Sequence, residues 1–222
     1  MIEELTVAVA TDKKALAYDL IKQKIIEGEL PPLTDISEEE LQKELEISRT
    51  PIREALQTLQ KEGFVYIYPR KGTIVSEVTE DLIREIYHMR RMNEAHIVKQ
   101  ASKRMPEEWL VALRDAFLNP PMEGGASAQR RYMMNIDREL HQGFLKYCNN
   151  RFLQSIMAIV YEHNHRIRLR VSDPRMTAGD HSVEEHIEII DAVLSKNDER
   201  IDAIVALHVS MSSSISSRHF RR

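Results

Sequence analysis

The sequence predicts a mainly α-helical protein. An N-terminal winged helix-turn-helix with a small β-hairpin wing is followed by a C-terminal, all-α antiparallel helical bundle. Three observations carry this expectation. Residues 36–78 hold two short helical segments and then two alternating, β-type runs around a turn. From Glu80 onward the apolar residues recur with helical period. The chain has only 7 glycines and 8 prolines in 222 residues, and is 42% hydrophobic and 30% charged, which favours ordered, helix-rich structure. That length suits one small and one medium domain, each with its own core, with the boundary expected between residues 78 and 79.

Taken in order, residues 1–11 are expected to form a loosely held arm. Thr11 or Asp12 can cap a helix from Lys13 to about Glu27, with Leu16, Leu20, Ile21 and Ile25 on its inner face, and Gly28 to Pro32 end it. Ser37 with Glu40 three residues on is a capping-box signature, so a helix starts there and stops before Glu46. A second helix opens at Ser48 or Thr50, with Pro51 in its first turn, where a missing N–H does no harm. Ile52, Ala55, Leu56 and Leu59 face inward, and Gly63 suits the position just past the end. Arg49, Thr50 and Arg53 lie on the outward face at its N-terminal end, where a helix-turn-helix puts its base-reading side chains. The runs Phe64–Tyr68 and Thr73–Val75 then flank Pro69-Arg70-Lys71-Gly72, a hairpin tip suited to lie along a phosphate backbone.

The net charge of −4 is modest for a nucleic-acid binder, and the first 46 residues are acidic. The cations, however, concentrate where contact is expected: Arg49, Arg53, Lys61, Arg70 and Lys71. Local field rather than bulk charge decides phosphate binding. A single cysteine, Cys148, excludes an internal disulfide framework. No apolar run approaches a membrane span and the N-terminus lacks a signal-peptide pattern, so the expected compartment is the cytoplasm.

After Thr79, read as a helix cap, helices are expected near 80–103, 106–118, 129–148, 150–171, 182–195 and 198–217. Residues 119–125 and Ser172-Asp173-Pro174 form loops, and Ser182 with Glu185 makes a second capping box. Bundles build sites from side chains projecting inward from facing helices. Asp137 and His141, four residues apart, share one helical face. His186 and His208 each stand eleven residues from Asn197, so an antiparallel hairpin turning there brings them to the same height. Three imidazoles and a carboxylate suit zinc, nickel or another divalent ion such as manganese. A surface ion pair with two unrelated helix histidines has the same spacing.

Two stretches resemble known families. Residues 48–75, SRTPIREALQTLQKEGFVYIYPRKGTIV, resemble the signature of the GntR family of bacterial transcription regulators. The resemblance implies that Arg49, Thr50 and Arg53 contact operator bases or phosphates, and that Gly72 approaches the minor groove. The departures are Glu39, where some relatives have arginine, and Leu33, where a glycine often follows the two prolines. Residues 80–219 resemble the all-helical FCD effector domain of the FadR-type branch, through Asp137-Arg-Glu-Leu-His141, Asn150, Glu185-His186-Ile187 and Ala206-Leu207-His208. Leu140 replaces the usual phenylalanine. This resemblance implies that Asp137, His141, His186 and His208 hold a divalent metal, whose coordination a small organic acid or sugar acid completes.

A carboxylate ligand needs a cation. Arg90 matches a position where the family commonly has arginine, although a solvent-facing arginine on a long helix fits the sequence equally well. His163 with Arg166 is the further pocket-lining choice; His165, two residues from His163, points elsewhere. His88, His96, His181 and His219 read as surface or satisfied positions, and Met89, Met92, Met105, Met133, Met134 and Met157 as core filling. The expected function is a ligand-responsive transcription regulator, a homodimer on a near-palindromic double-stranded operator. A metal-dependent hydrolase or lyase with a nucleic-acid-binding appendage competes with it. No second carboxylate stands obviously beside the metal set as a general base. A purely dimerising protein would leave the four metal residues unexplained.

Overall fold

The computed structural model describes residues 2–121, 123–171 and 182–220, and the chain forms two compact units, Met1–Val78 and Thr79–Arg222. The first unit contains α1 (Ile2–Glu27), β1 (Asp35–Ile36), α2 (Glu38–Leu45), α3 (Arg49–Lys61), β2 (Val65–Tyr68) and β3 (Gly72–Val75). Its core is Ala17, Ile21 and Ile25 of α1 against Ile52, Ala55, Leu56 and Leu59 of α3, closed by Leu41, Phe64, Val65 and Val75. Ser37 caps α2, its hydroxyl accepting from the Glu40 N–H. The end of α3 is a Schellman motif: the Phe64 N–H donates to Leu59 O and the Gly63 N–H to Gln60 O, with Gly63 at φ 82°.

Three expectations are corrected here. First, α1 begins at Ile2, and Thr11 and Asp12 lie inside it rather than capping it. The stretch before them holds no glycine or proline to stop the helix. Second, Leu16 is half-exposed, because the buried stripe runs through Ala17, Ile21 and Ile25 at four-residue spacing. Third, the wing is not a lone hairpin. β1 pairs antiparallel with β3 (Asp35↔Ile74, Ile36↔Thr73), giving a three-stranded sheet in the order β1-β3-β2. β2 and β3 pair from Val65↔Val75 to Tyr68↔Gly72, and the turn between them has Arg70 and Gly72 at positive φ.

The second unit is all-helical: α4 (Glu80–Ser102), α5 (Glu107–Leu118), α6 (Gly125–Tyr147), α7 (Arg151–Val171), α8 (Ser182–Leu194) and α9 (Asp198–Phe220). Thr79 caps α4 by accepting from the Leu82 N–H. α6 starts four residues before the expected 129, and α9 runs on to Phe220. α4 is the central element, packing against α6, α7, α8 and α9. Met92 is exposed at 66%, not core, whereas Met105, Met134 and Met157 are buried. The expected loop at 172–174 and His181 lie outside the described residues, as do the side chains of Ser182 and His219. No described helix is long and apolar enough to cross a membrane.

Candidate metal centre and nucleic-acid interface

The buried stripe of α4 is apolar at Ile83, Ile86, Tyr87, Ile97, Val98 and Ala101, but polar at its middle, where Arg90 and Glu94 stand. The same break recurs on α6, where Asp137 and His141 are in phase with Met134, Leu140 and Phe144. His186 on α8 and His208 on α9 complete the set. All four residues named from the sequence converge in the bundle interior, none more than 5% exposed.

Ligand atoms of His141, His186 and His208 lie within 4.8 Å of one another. That is close to the ~4.2 Å limit that two metal–nitrogen bonds of ~2.1 Å impose. Asp137 Oδ1 is 2.9 Å from His186 Nε2 and 3.8 Å from His141 Nε2. Neither of these two buried ring nitrogens has an aligned hydrogen-bond partner, which is unusual for buried polar atoms. The far sides of two rings face carboxylates. Glu94 Oε1 lies 2.9 Å from His141 Nδ1, and Glu185 Oε2 hydrogen-bonds His208 Nδ1 at 2.9 Å. A carboxylate behind a ligating imidazole is the usual outer support of such a site. The residues fit a divalent ion.

The protonation states agree with that fit. Burial holds His208 well below its ordinary value and His186 below its own, so both are neutral. Burial alone would raise the Asp137 carboxyl, but Arg168 and His186 outweigh it and keep it ionised. Glu94 is likewise held far down, by Arg90 first and then His141.

Arg90 is neither solvent-facing nor open to a ligand. It is fully buried, with Nε and Nη2 on the two oxygens of Glu94 (2.6 and 2.9 Å) and Nη1 on Asn164 (3.0 Å). His163 and Arg166 are both buried on α7, and so is His165, so the choice between the two histidines does not follow from burial. His88 and His96 are exposed. Sequence reasoning missed Glu94, Asn164 and Arg168, whose Nη1 contacts Asp137 Oδ1 at 2.5 Å. Polar residues in phase with an apolar stripe were the available signal for Glu94. It also missed that carboxylates do stand beside the set. Glu94 and Glu185 are each held against a histidine, and Glu94 also by Arg90, which is a supporting arrangement rather than that of a free general base.

In the first unit Arg49, Thr50 and Arg53 are exposed at the start of α3. Glu38 pairs with both arginines at Nε, at 2.6 Å for Arg49 and 3.5 Å for Arg53, and both side chains stay mostly exposed. Arg70, Lys71 and Gly72 are exposed at the wing tip. Glu39 pairs with Lys43, which offsets its charge.

Known proteins match both units. Residues 13–75 match the family model described as bacterial regulatory proteins, gntR family, and residues 85–211 match that of the FCD domain. The Nta operon transcriptional regulator of Aminobacter aminovorans is 29% identical over 175 residues, covering 78% of this chain and 80% of its own. The HTH-type regulator YdhC of Bacillus subtilis (strain 168) is 27% identical over 195 residues, covering 86% of this chain and 85% of its own. The HTH-type transcriptional repressor RspR of Escherichia coli (strain K12) is 21% identical over 196 residues, covering 86% and 83%. These relatives are named as regulators, not enzymes. Among solved structures, E. coli McbR/YncC superposes with a TM-score of 0.75 at 18% identity, over 94% of this chain and 98% of that one. A GntR regulator from Rhodococcus sp. RHA1 gives 0.74 at 20%, over 91% and 96%. At these identities the likeness is one of fold.

Proposed function

The chain belongs to the gntR family of bacterial regulatory proteins and carries an FCD effector domain, and from that premise we propose that a divalent metal and a small organic-acid or sugar-acid metabolite control its hold on operator DNA. The observation that carries this reading is the burial of His141, His186 and His208 with ligand atoms within 4.8 Å of one another, and of Asp137 with Oδ1 2.9 Å from His186 Nε2. Asp137, His141, His186 and His208 would hold the ion, zinc or nickel by donor type, with manganese a third choice. The bound ion would supply a positive centre at which a carboxylate docks.

Arg49, Thr50 and Arg53 would read bases in the major groove, and Arg70, Lys71 and Gly72 would run along the backbone at the wing. A homodimer presents two such surfaces to a near-palindromic site. Ligand controls DNA affinity only so far as it binds the two states of the dimer differently.

The test is selection of genomic fragments by purified full-length protein, with and without added zinc or nickel, followed by sequencing. One enriched palindromic site supports the reading, and the genes beside it indicate the metabolite. No enrichment under either condition overturns it. A His208→Ala protein that keeps both metal and ligand response would overturn the site assignment alone.

A further inference from the structure

We propose that Arg168, near the end of α7, receives the carboxylate of an organic acid docked at the candidate metal centre, releasing part of its hold on Asp137 as it does so. This rests on the reading of that centre as a metal site.

The arginine suggested by sequence, Arg90, is already committed to its neighbours. Three of its nitrogens are engaged by Glu94 and Asn164, Nη2 is also 3.3 Å from His208 Nε2, and the side chain is inaccessible. An incoming carboxylate would have to displace the buried Glu94 and leave that charge unpaired, the costly way to break a buried pair.

Arg168 differs on each count. Its side chain is 23% exposed, against 6% or less for Asp137 and His141, so solvent reaches it more than either of them. Its one hydrogen bond among the described residues is from Nη1 to Asp137 Oδ1. A guanidinium has five N–H donors in a planar fork that matches a carboxylate edge. No described residue hydrogen-bonds the rest of that fork.

The oxygen that Arg168 holds also matters. Asp137 Oδ1 is the atom nearest His186 Nε2 and His141 Nε2, hence the one that faces the common point. Asp137 would give Oδ1 to a bound ion, and the Arg168 guanidinium, which shares that oxygen, would turn its fork to an anion held beside it. Arg168 would thus exchange its hold on Asp137 for one on the ligand.

The experiment uses the full chain and Arg168→Ala and Arg168→Lys variants, with circular dichroism to confirm folding. Zinc affinity is measured by competition with a chelator. Binding to the zinc-loaded proteins is then measured for acetate and succinate, with neutral succinamide as control. Arg168→Ala is expected to hold zinc as tightly as the parent or more tightly, and to bind the carboxylates at least tenfold more weakly. Arg168→Lys, which keeps the charge without the fork, should fall between. Loss of zinc from a folded Arg168→Ala protein overturns the proposal, because Arg168 would then only prop Asp137. So does carboxylate binding equal to the parent's, carboxylate binding no stronger than that of succinamide, or no carboxylate binding by zinc-loaded parent. A parent chain that binds no zinc refutes the metal reading itself, so the two failures are distinguishable.

Discussion

Glu46 sits at the end of α2 with φ 54°, and Leu33 precedes the first strand with φ 65°. Both occupy the left-handed region, where an L side chain crowds its own carbonyl at a cost of about 1–2 kcal/mol. Glu46→Gly relieves that strain but loosens the unfolded chain by about 0.4–1 kcal/mol. The net expectation is a gain of about 0.5–1 kcal/mol in denaturant unfolding of the first unit. Leu33 explains in the same terms why a glycine is at home after the two prolines. At the proposed DNA face the two kinds of cation separate by their expected readout. Arg53→Ala is expected to cost about 1–3 kcal/mol on the selected operator and to relax preference at one base pair. Lys71→Ala should weaken all DNA sequences alike and lower the salt slope by about one ion. Competition binding at two salt concentrations checks both.

The elements fix how closely the bundle can pack, and Gly143 on α6 shows the limit. A Cβ at that position would run into the indole ring of Trp109 on α5, well inside van der Waals contact with several ring atoms. Gly143→Ala is therefore expected to destabilise the helical unit by about 1–3 kcal/mol, since a rigid ring rather than a flexible tip must move. Urea unfolding followed by fluorescence of Trp109, the chain's one tryptophan, measures it. At this scale the sequence was most informative where local chemistry decides: Ser37 and Thr79 cap their helices, and Gly63 ends α3. It was silent where tertiary pairing decides. A two-residue strand such as β1 has no periodicity to detect, and α1 runs back to Ile2 because nothing in the chain stops it. Counting turns paired Asp137 with His141 and set His186 level with His208. That the two pairs meet came from the resemblance to the FCD domain, because the face each histidine takes is not fixed by spacing. Arg168 and Asn164 were not visible, because which side of α7 faces α6 and α4 is set by packing.

For the whole molecule, the buried histidines make stability depend on pH. His186 and His208 are held neutral below their ordinary value of 6.5 by burial, with Arg90 and the neighbouring imidazoles adding to it at His208. In the unfolded chain both take up a proton as pH falls through 6.5, while the folded unit does not, so the unfolded state binds more protons. Stability is then full above about pH 6.5 and falls as pH drops toward the folded values, by about 1.4 kcal/mol per pH unit per histidine. Glu94 and Asp137, held ionised by Arg90 and Arg168, extend the loss below about pH 4 as their unfolded counterparts protonate. Trp109 fluorescence in urea, on metal-free protein at pH 7.5 and 5.5, should show a lower midpoint at the lower pH. Saturating zinc at pH 7.5 should add about 2.7 kcal/mol at a hundredfold excess over its Kd. A His208→Gln protein should lose part of both effects, because the same imidazole resists the proton and would accept the metal. A pH slope unchanged in that variant would mean that the linkage resides elsewhere in the bundle.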